Sequence, residues 1–245
     1  MVTKTVNLIR TVVFSVFVFI SILIYGSFLP LAFCSKKIAK SVSVVWVNVI
    51  FILIKYTLNI KIKIQNPEIA KRRGVIIVSN HCSAWETFFI AHHFDIPTFV
   101  LKKSLFNIPL LGPFLKALNM IGIDREGYSK KYRQEIVKRA HTELINGHNM
   151  AIFPQGTRVP IEETYNYEKY PYKSGVTIFA GGHYVLTIST DARKCFGKSL
   201  FSLKKTGSIN VIFNDCIKID DSLSKHEIMD IIQKSIEGGC RKIIN

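Results

Sequence analysis

The sequence predicts an α/β protein in which helices flank a mixed, largely parallel β-sheet, preceded by an N-terminal hydrophobic helical membrane anchor. A long uncharged run stands near the N-terminus, and from about residue 60 short β-branched runs alternate with amphipathic helical stripes. Such alternation is typical of strand–helix units that build one sheet. A chain of 245 residues can bury one core with an appendage. We therefore predict an anchor over 1–60 and one α/β domain over 61–245.

Residues 11–33 carry no charged side chain and are long enough to cross a bilayer core, for which about 20 apolar residues suffice. Basic residues flank this run on both sides: Lys4, Arg10, Lys36, Lys37 and Lys40. A signal peptide has a similar basic start and apolar core, but no A-x-A cleavage site follows here. We therefore expect the segment to be retained as an anchor.

A second uncharged run, 41–54, is too short to span a bilayer comfortably, so we expect an interfacial or re-entrant helix that pairs with the first run. Because basic residues flank both runs, the positive-inside rule does not decide between a single span and a two-helix hairpin. We favour the hairpin, which keeps both of its ends on one side. The expected location is the inner (cytoplasmic) membrane, with the catalytic domain on the cytoplasmic side.

Hydrophobic periodicity predicts the strands of the domain. Residues 59–65 alternate isoleucine with lysine, as in a half-buried strand. Residues 74–79 form a β-branched run typical of a strand that is buried on both faces. Further strand candidates are 97–101, 150–153, 184–190 and 209–214.

Two amphipathic helices are predicted, over 129–147 and over 222–236. The first has Tyr132, Ile136, Ala140 and Leu144 on one stripe and ends at the stop signal Asn146-Gly147. Between the predicted elements, 159–172 is long for a loop, polar and rich in tyrosine, so we expect it to lie over a site.

The net charge of +16 points to an anionic partner, such as membrane phospholipid, nucleic acid or a phosphorylated substrate. No helix-turn-helix, RNA-recognition or zinc-finger pattern appears, so we expect no nucleic-acid partner. The five cysteines are scattered without the spacing of a zinc site, which favours a reducing compartment over a disulfide framework.

The stretch "IIVSNHCSAWETFF" (76–89) places His81 and Glu86 five positions apart after an apolar run. On one continuous helix such residues lie about 140° apart, so their side chains meet only if the chain turns between them. Ser83 followed by Glu86 fits a capping box and predicts this turn, with a helix from about Ala84. The residues alone leave two interpretations. Either Glu86 only caps the helix, or it orients the imidazole so that the other ring nitrogen can accept a proton from a hydroxyl.

Cys82 is an alternative nucleophile, because it adjoins a histidine and precedes a predicted helix N-terminus. Adjacent residues in an extended corner usually point apart, and the sequence offers no second candidate base. A Cys82 hydrolase therefore remains a minor alternative.

Two downstream motifs, "GIDR" and "FPQGTR", each place an arginine after an apolar run, at Arg125 and Arg158. We expect both at the C-terminal ends of strands, the edge at which open α/β sheets bind ligands. A guanidinium makes two parallel charged hydrogen bonds to phosphate. Gly156 allows close approach of the backbone, and Thr157 adds a hydroxyl donor, so the pattern favours an anion site.

The blocks "NHCSAWE" (80–86), "GIDR" (122–125) and "FPQGTR" (153–158) resemble, in this order, the motifs of the 1-acyl-sn-glycerol-3-phosphate acyltransferase (PlsC) family of glycerolipid acyltransferases. The linking stretch 101–125 and "YKSGV" (172–176) are similar to the family as well. The resemblance covers about residues 74 to 190, and three ordered blocks make it specific.

The resemblance implies that an acyl chain passes from acyl-CoA or acyl carrier protein to the free sn-2 hydroxyl of lysophosphatidic acid, which gives phosphatidic acid. By residue match, His81 would be the general base and Glu86 its orienting partner. The implied phosphate-binding residues are Arg125, Gly156, Thr157 and Arg158, and the candidate supporting residues are Lys102, Asp124 and Lys173. No cofactor, metal or acyl-enzyme is implied. The expected partners are the phospholipid bilayer, lysophosphatidic acid and the acyl thioester.

The sequence departs from the family pattern at three places. Glu86 replaces the usual aspartate and is one methylene longer, and Gln155 replaces the glutamate of the third block, which removes a charge. The expected fourth block, at 184–190, contains no proline. An alternative within the same class is an acyltransferase for glycerol 3-phosphate or another lysophospholipid. From a different class, the alternative is a non-enzymatic basic protein that binds membrane lipid.

Overall fold

The computed structural model describes residues 2–124 and 129–245, which include one seven-stranded sheet. The strands are β1 Ile60–Gln65, β2 Val75–Ser79, β3 Thr98–Lys102, β4 Ile121–Ile123, β5 Met150–Ile152, β6 Tyr184–Thr190 and β7 Gly207–Lys218. They lie in the order β1-β7-β6-β2-β5-β3-β4. All pairs from β6 to β4 are parallel, whereas β7 runs antiparallel to β6 and β1 runs parallel to β7. The predicted mixed, largely parallel sheet is confirmed.

Helices cover both faces of this sheet. The described α-helices are α1 Val2–Ser27, α2 Leu29–Cys34, α3 Lys36–Leu53, α4 Trp85–His93, α5 Leu111–Ala117, α6 Lys130–Ile145, α7 Thr177–Ala180, α8 Arg193–Phe196 and α9 Lys225–Ile244. Side chains from α1, α3, α4 and α5 share one hydrophobic core with the sheet, and side chains from α6, α7 and α9 form the other. Each face of the sheet is therefore buried, as the continuous apolar run of β2 predicts.

All six predicted strands and both predicted amphipathic helices are present. Helix α6 begins after Ser129, whose side chain accepts a hydrogen bond from the Tyr132 amide, and it ends before Asn146. Strand β4 is the strand expected before Arg125; its bounds were not predicted, because three residues are too few for a periodic signal. Strand β7 and helix α9 continue beyond their predicted ends, to Lys218 and Ile244.

Helices α1 and α3 form an antiparallel pair. The hydroxyl groups of Tyr25 and Ser43 lie 2.9 Å apart, and the indole N–H of Trp46 donates to the Ser21 hydroxyl at 3.1 Å. Helix α3 continues into a π-helical turn, so the second uncharged run lies within a 23-residue helix, Lys36–Leu58. Our expectation that this segment is too short to cross a membrane was wrong, because basic residues extend the helix at both ends. By length and composition, Lys4–Ser27 and Lys36–Leu58 are both sufficient to cross one.

Helix α3 packs along the α/β domain. Near its start, Lys40 forms an ion pair with Asp95 at 2.7 Å. In its middle, Asn48 hydrogen-bonds to the His92 ring at 2.8 Å. Near its end, the Phe51 ring stacks on the same imidazole. The domain therefore covers one side of this helix over most of its length.

Candidate active site

The parallel strands bring their C-terminal ends to one edge of the sheet, here called the carboxyl edge. Asn80, directly after β2, joins this strand to the end of β6. The side-chain Nδ2 of Asn80 donates to the Thr190 carbonyl at 2.8 Å, and its side-chain Oδ1 accepts from the Thr190 backbone amide at 2.9 Å. This buried pair of hydrogen bonds fixes where the chain leaves the strand. The next residue, His81, therefore starts the corner from a defined position.

His81 and Glu86 meet across this corner. The Nδ1 atom of His81 lies 3.1 Å from Oε2 of Glu86. The Glu86 side chain is almost fully buried, whereas the His81 side chain remains 12% exposed. A carboxylate at Nδ1 favours the tautomer with its proton on that nitrogen, which leaves Nε2 free to accept a proton. The geometry thus fits the orienting interpretation of Glu86.

The buried Glu86 carboxylate has further donors close to it. It accepts from the Ser83 amide at 2.9 Å, from the Cys82 thiol at 2.9 Å and from the Ser83 hydroxyl at 3.3 Å. A carboxylate removed from water is tolerated only when such donors replace its hydration. The corner therefore holds Glu86 by local bonds that do not depend on His81.

The predicted capping box is only half formed. Glu86 accepts from the Ser83 amide as expected, but the Ser83 hydroxyl accepts from the Trp85 amide at 3.0 Å and not from the Glu86 amide. The helix begins at Trp85 with Ala84 at the N-cap, one residue later than predicted. A serine just before the cap reaches the amide two residues ahead, which gives a local turn in place of the reciprocal cap.

Cys82 does not have the surroundings of a reactive thiolate. Its side chain is fully buried, and its thiol donates to Glu86 at 2.9 Å. Burial, reinforced by the negative charge of Glu86, raises the pKa of the Cys82 thiol well above its usual value. A neutral, enclosed thiol is a poor nucleophile, so the structure argues against the Cys82 alternative.

The turn after β5 carries the second motif to the same edge. Gly156 has φ +63°, a left-handed conformation that side chains with a Cβ rarely adopt. Thr157 is exposed and Arg158 is partly buried. The Val159 amide donates to the His81 carbonyl at 2.7 Å. Arg158 is thus one residue away from a direct backbone bond to the histidine.

The candidate supporting residues Lys102, Asp124 and Lys173 lie along this edge. Arg125 lies outside the described residues, but Asp124 directly follows β4, and exposed Lys102 ends β3. Lys102 and Asp124 line a cleft of about 650 Å³. Lys173 is also exposed, and its amide donates to the Pro154 carbonyl at 2.9 Å, so its backbone lies beside the Gly156 turn.

The segment 159–172 is hydrogen-bonded to the corner at its start, through Val159. Further along, Tyr165 donates to the Glu237 carbonyl at 3.0 Å, and Tyr167 donates to the Glu237 carboxylate at 2.8 Å. Because Glu237 is on α9, the middle of the segment packs against the C-terminal helix. Of these three hydrogen-bonded residues, Val159 contacts the corner, as expected for a loop over the site, whereas Tyr165 and Tyr167 contact α9.

Arg193, which no sequence motif indicated, also reaches the corner. It starts α8, three residues after β6 ends. Its amide donates to the Cys82 sulfur at 3.4 Å, and its guanidinium lies 3.5 Å from the Arg158 carbonyl. Within the described part of the chain it forms no ion pair. Applying the carboxyl-edge rule to 184–190 as well would have found it.

Gln155, where the family pattern has glutamate, is 2% exposed. Among the described residues, neither atom of its amide group has a hydrogen-bond partner. Gln155 therefore places a polar but uncharged side chain in a buried position where its amide group makes no hydrogen bond to the described residues. In the same part of the chain, no group of three or more His, Cys, Asp or Glu side chains is arranged to hold a metal ion.

The fold and this corner define a class of protein: an α/β protein that carries a histidine–carboxylate pair at the carboxyl edge of a largely parallel sheet. Residues 61–190, more than half of the chain, match the family model described as Acyltransferase. The chain belongs to this acyltransferase family.

Named relatives are consistent with this assignment. The chain is 29% identical over 218 residues to a 1-acyl-sn-glycerol-3-phosphate acyltransferase from Pseudomonas aeruginosa, with 85% of this chain and 80% of the relative covered. It is 26% identical to a protein of the same name from Borreliella burgdorferi, over 72% of this chain and 64% of the relative. The crystal structure of the 1-acyl-sn-glycerophosphate acyltransferase PlsC from Thermotoga maritima matches with a TM-score of 0.73 and 20% identity, over 99% of this chain and 98% of that one. The last match shows a shared fold.

Proposed function

We propose that this protein is a membrane-attached acyltransferase that moves an acyl chain from acyl-CoA or acyl carrier protein to the sn-2 hydroxyl of 1-acyl-sn-glycerol 3-phosphate. The product would be phosphatidic acid, a precursor of phospholipids. The observation that carries the proposal is the His81–Glu86 contact at 3.1 Å, with the carboxylate buried and the imidazole still partly exposed. The relatives from Pseudomonas aeruginosa and Borreliella burgdorferi support the choice of acceptor by their names.

The chemistry follows from the free nitrogen of His81. Nε2 takes the proton of the acceptor hydroxyl as its oxygen attacks the thioester carbonyl carbon. The tetrahedral intermediate then collapses, the new C–O ester bond remains and the C–S bond breaks. The thiolate leaves and receives the proton from the imidazolium. Glu86 accepts from Nδ1 and so stabilises the imidazolium, and no acyl-enzyme is formed.

The acceptor phosphate would be held on the adjacent turn. Arg158 supplies a forked positive charge, Thr157 a hydroxyl, and Gly156 a backbone that an anion can approach closely. The motif of the second block assigns Arg125 to the same role. Because both arginine motifs follow parallel strands, a phosphate between them would face the histidine from the carboxyl edge.

We further propose that α1 and α3 attach the protein to the membrane as an antiparallel hairpin. Much of the α1 surface is exposed and apolar, for example Ile9 and Phe19, both at 57%. The contacts of α3 with the domain, from Lys40 to Phe51, keep the domain beside the hairpin. We propose that a lipid acceptor reaches the carboxyl edge from the bilayer that holds this hairpin. We assign the domain to the cytoplasmic side, where acyl thioesters are made.

The central experiment is acyl transfer by the purified full chain in detergent, with lysophosphatidic acid and an acyl thioester. His81→Ala should abolish the formation of phosphatidic acid. His226→Ala, at an exposed histidine on α9, is the matched control and should leave the rate unchanged. Undiminished activity of His81→Ala would refute the mechanism.

A panel of substrates separates the alternatives. Glycerol 3-phosphate and other lysophospholipids test the acceptor, and acyl-CoA against acyl carrier protein tests the donor. Preferred turnover of a different acceptor would replace lysophosphatidic acid in the proposal. Lipid binding without turnover of any thioester would favour the non-enzymatic alternative.

A further inference from the structure

We propose that the segment 197–206, between α8 and β7, is a second membrane-contacting element that inserts Phe201 and Leu203 into an anionic phospholipid bilayer beside α1. The segment, here called the apolar loop, lies outside the residues assigned to catalysis. The inference rests on the membrane attachment proposed above for α1.

The apolar loop is built around a buried lysine. Lys204 is only 1% exposed, and its ammonium donates to the Ser199 carbonyl at 3.1 Å and to the Ser202 carbonyl. The ammonium also lies 4.3 Å from the centre of the Phe196 ring, which gives a cation–π contact. Paired hydroxyl groups of Ser199 and Ser202, 2.8 Å apart, close the turn. These internal bonds give the loop a defined shape despite its exposed tip.

The same loop is attached to α1. The Lys204 amide donates to the Thr11 hydroxyl at 2.9 Å, and the Thr206 amide donates to the Asn7 side chain at 3.4 Å. The rings of Phe14 and Phe196 pack edge to face, 5.9 Å apart. The loop and the N-terminal half of α1 are therefore held as one surface.

This surface is apolar and open to solvent. Phe201 and Leu203 are 54% and 50% exposed, although both are large hydrophobic side chains. Together with α1 they line a groove of about 450 Å³, whose apolar wall consists of Leu8, Val12, Val16, Phe19, Phe201 and Leu203. Because Lys204 has turned its charge inward, no charged side chain is exposed between Phe201 and Leu203 or on the residue after them. A continuous apolar surface of this kind is a typical site of contact with a membrane.

The charges around the groove specify the kind of membrane. Lys198 and Lys205 are exposed at the two ends of the loop, and Lys4 and Arg10 lie on the adjacent part of α1. Basic side chains that flank an inserted apolar group attract anionic headgroups at the membrane surface. We therefore commit to a bilayer that contains anionic phospholipid as the occupant.

The position of the loop gives this contact a role in orientation. Helix α8 begins at Arg193, beside the corner, and the loop starts directly after it at Gly197. With the hairpin as the one membrane contact, the protein could still rotate about the hairpin axis relative to the bilayer surface. A second contact on the carboxyl-edge side would hold that edge, with His81, against the lipid surface.

The first test is co-sedimentation of the full chain with vesicles of equal parts phosphatidylcholine and phosphatidylglycerol. Phe201→Ser/Leu203→Ser should weaken partition by at least about tenfold, since two large apolar side chains no longer enter the hydrocarbon. The matched control is Ile145→Ser, at a residue that is 77% exposed on α6, and it should bind like the parent. Circular dichroism and the melting temperature in detergent verify that each variant is folded.

A second measurement reports insertion directly. In Leu203→Trp, phospholipids with brominated acyl chains should quench the added tryptophan beyond the quenching of Trp46 and Trp85 in the parent. Ile145→Trp should show no such addition. Equal binding by the double serine variant, or no added quenching at position 203, would overturn the inference and leave α1 attachment standing. A parent chain that does not bind vesicles would overturn both.

Discussion

The imidazole ring of His81 lies almost flat on the ring of Phe153, with the ring centroids 4.0 Å apart and 18° between the planes. Phe153 directly follows β5, and His81 follows the neighbouring strand β2 after one residue. The histidine is thus held on one face by an aromatic ring and at Nδ1 by the Glu86 carboxylate. A general base needs such a fixed orientation, because proton transfer depends on the direction of its free nitrogen.

Glu86→Ala should lower kcat by about 10²- to 10⁴-fold, the range that positioned proton transfer contributes. It should also lower the free energy of unfolding by about 1–3 kcal/mol, because the buried donors of Ser83 and Cys82 lose their acceptor. Glu86→Gln should lose activity but retain more stability, since its carbonyl oxygen can still accept from the Ser83 amide. Kinetics and denaturant melts measure both effects, with exposed Glu68→Ala as control. Two stable, fully active variants at position 86 would rule out the pair.

Gly156→Ala should destabilise the turn after β5 by about 1 kcal/mol, because alanine is strained at a φ of +63°. The displaced turn should raise KM for lysophosphatidic acid more than it lowers kcat. Gly175→Ala is the matched control, since an added Cβ there has no atom within 4 Å and requires no left-handed backbone. A KM that does not change in Gly156→Ala would contradict the role of this turn in binding the acceptor.

Arg193→Gln should raise KM for one of the two anionic substrates by about tenfold, the effect of losing one charged hydrogen bond. The reason is its position between Cys82 and the Arg158 backbone, without an acidic partner among the described residues. Separate titrations of the acceptor and the thioester identify which substrate it contacts. Arg73→Gln, exposed before β2 at the opposite edge, removes the same charge and should leave both KM values unchanged. Equal KM values in the two variants would mean that Arg193 affects substrate binding only through the net charge of the protein.

His183 should make stability fall in mild acid. Burial, assisted by neighbouring His141 and Lys218, lowers the pKa of His183 below 6.5, while Asp221 opposes this shift. Just below pH 6.5 the His183 side chain therefore binds a proton more readily in the unfolded chain than in the folded protein, which favours unfolding. The contribution is thus complete above about pH 6.5 and is lost as the pH falls below it. The melting temperature from pH 7.5 to 5 should decline less steeply in His183→Asn than in the parent. An unchanged slope would show that this group does not contribute.

Local patterns predicted most of the fold. The alternation of Ile and Lys in 59–65 and the β-branched run of 74–79 are signals within single segments, so β1 and β2 appear where expected. Strand β4, only Ile121–Ile123, was expected before Arg125, but it is too short for a periodic pattern, so its bounds followed only from its pairing with β3. The predicted capping box is only half formed because the Ser83 hydroxyl accepts from the Trp85 amide and not from the Glu86 amide.

By itself, the sequence determined the alternation of strands and helices, the apolar N-terminus and the residue types of the site, because these depend on neighbours along the chain. Only the tertiary structure decided which of these residues meet. It brought Phe153 onto His81, Arg193 beside Cys82 and the apolar loop against α1, across separations of up to about 200 positions along the chain. Strand order and helix packing fix such contacts, and both are set by the burial of whole faces, which no short stretch of sequence encodes.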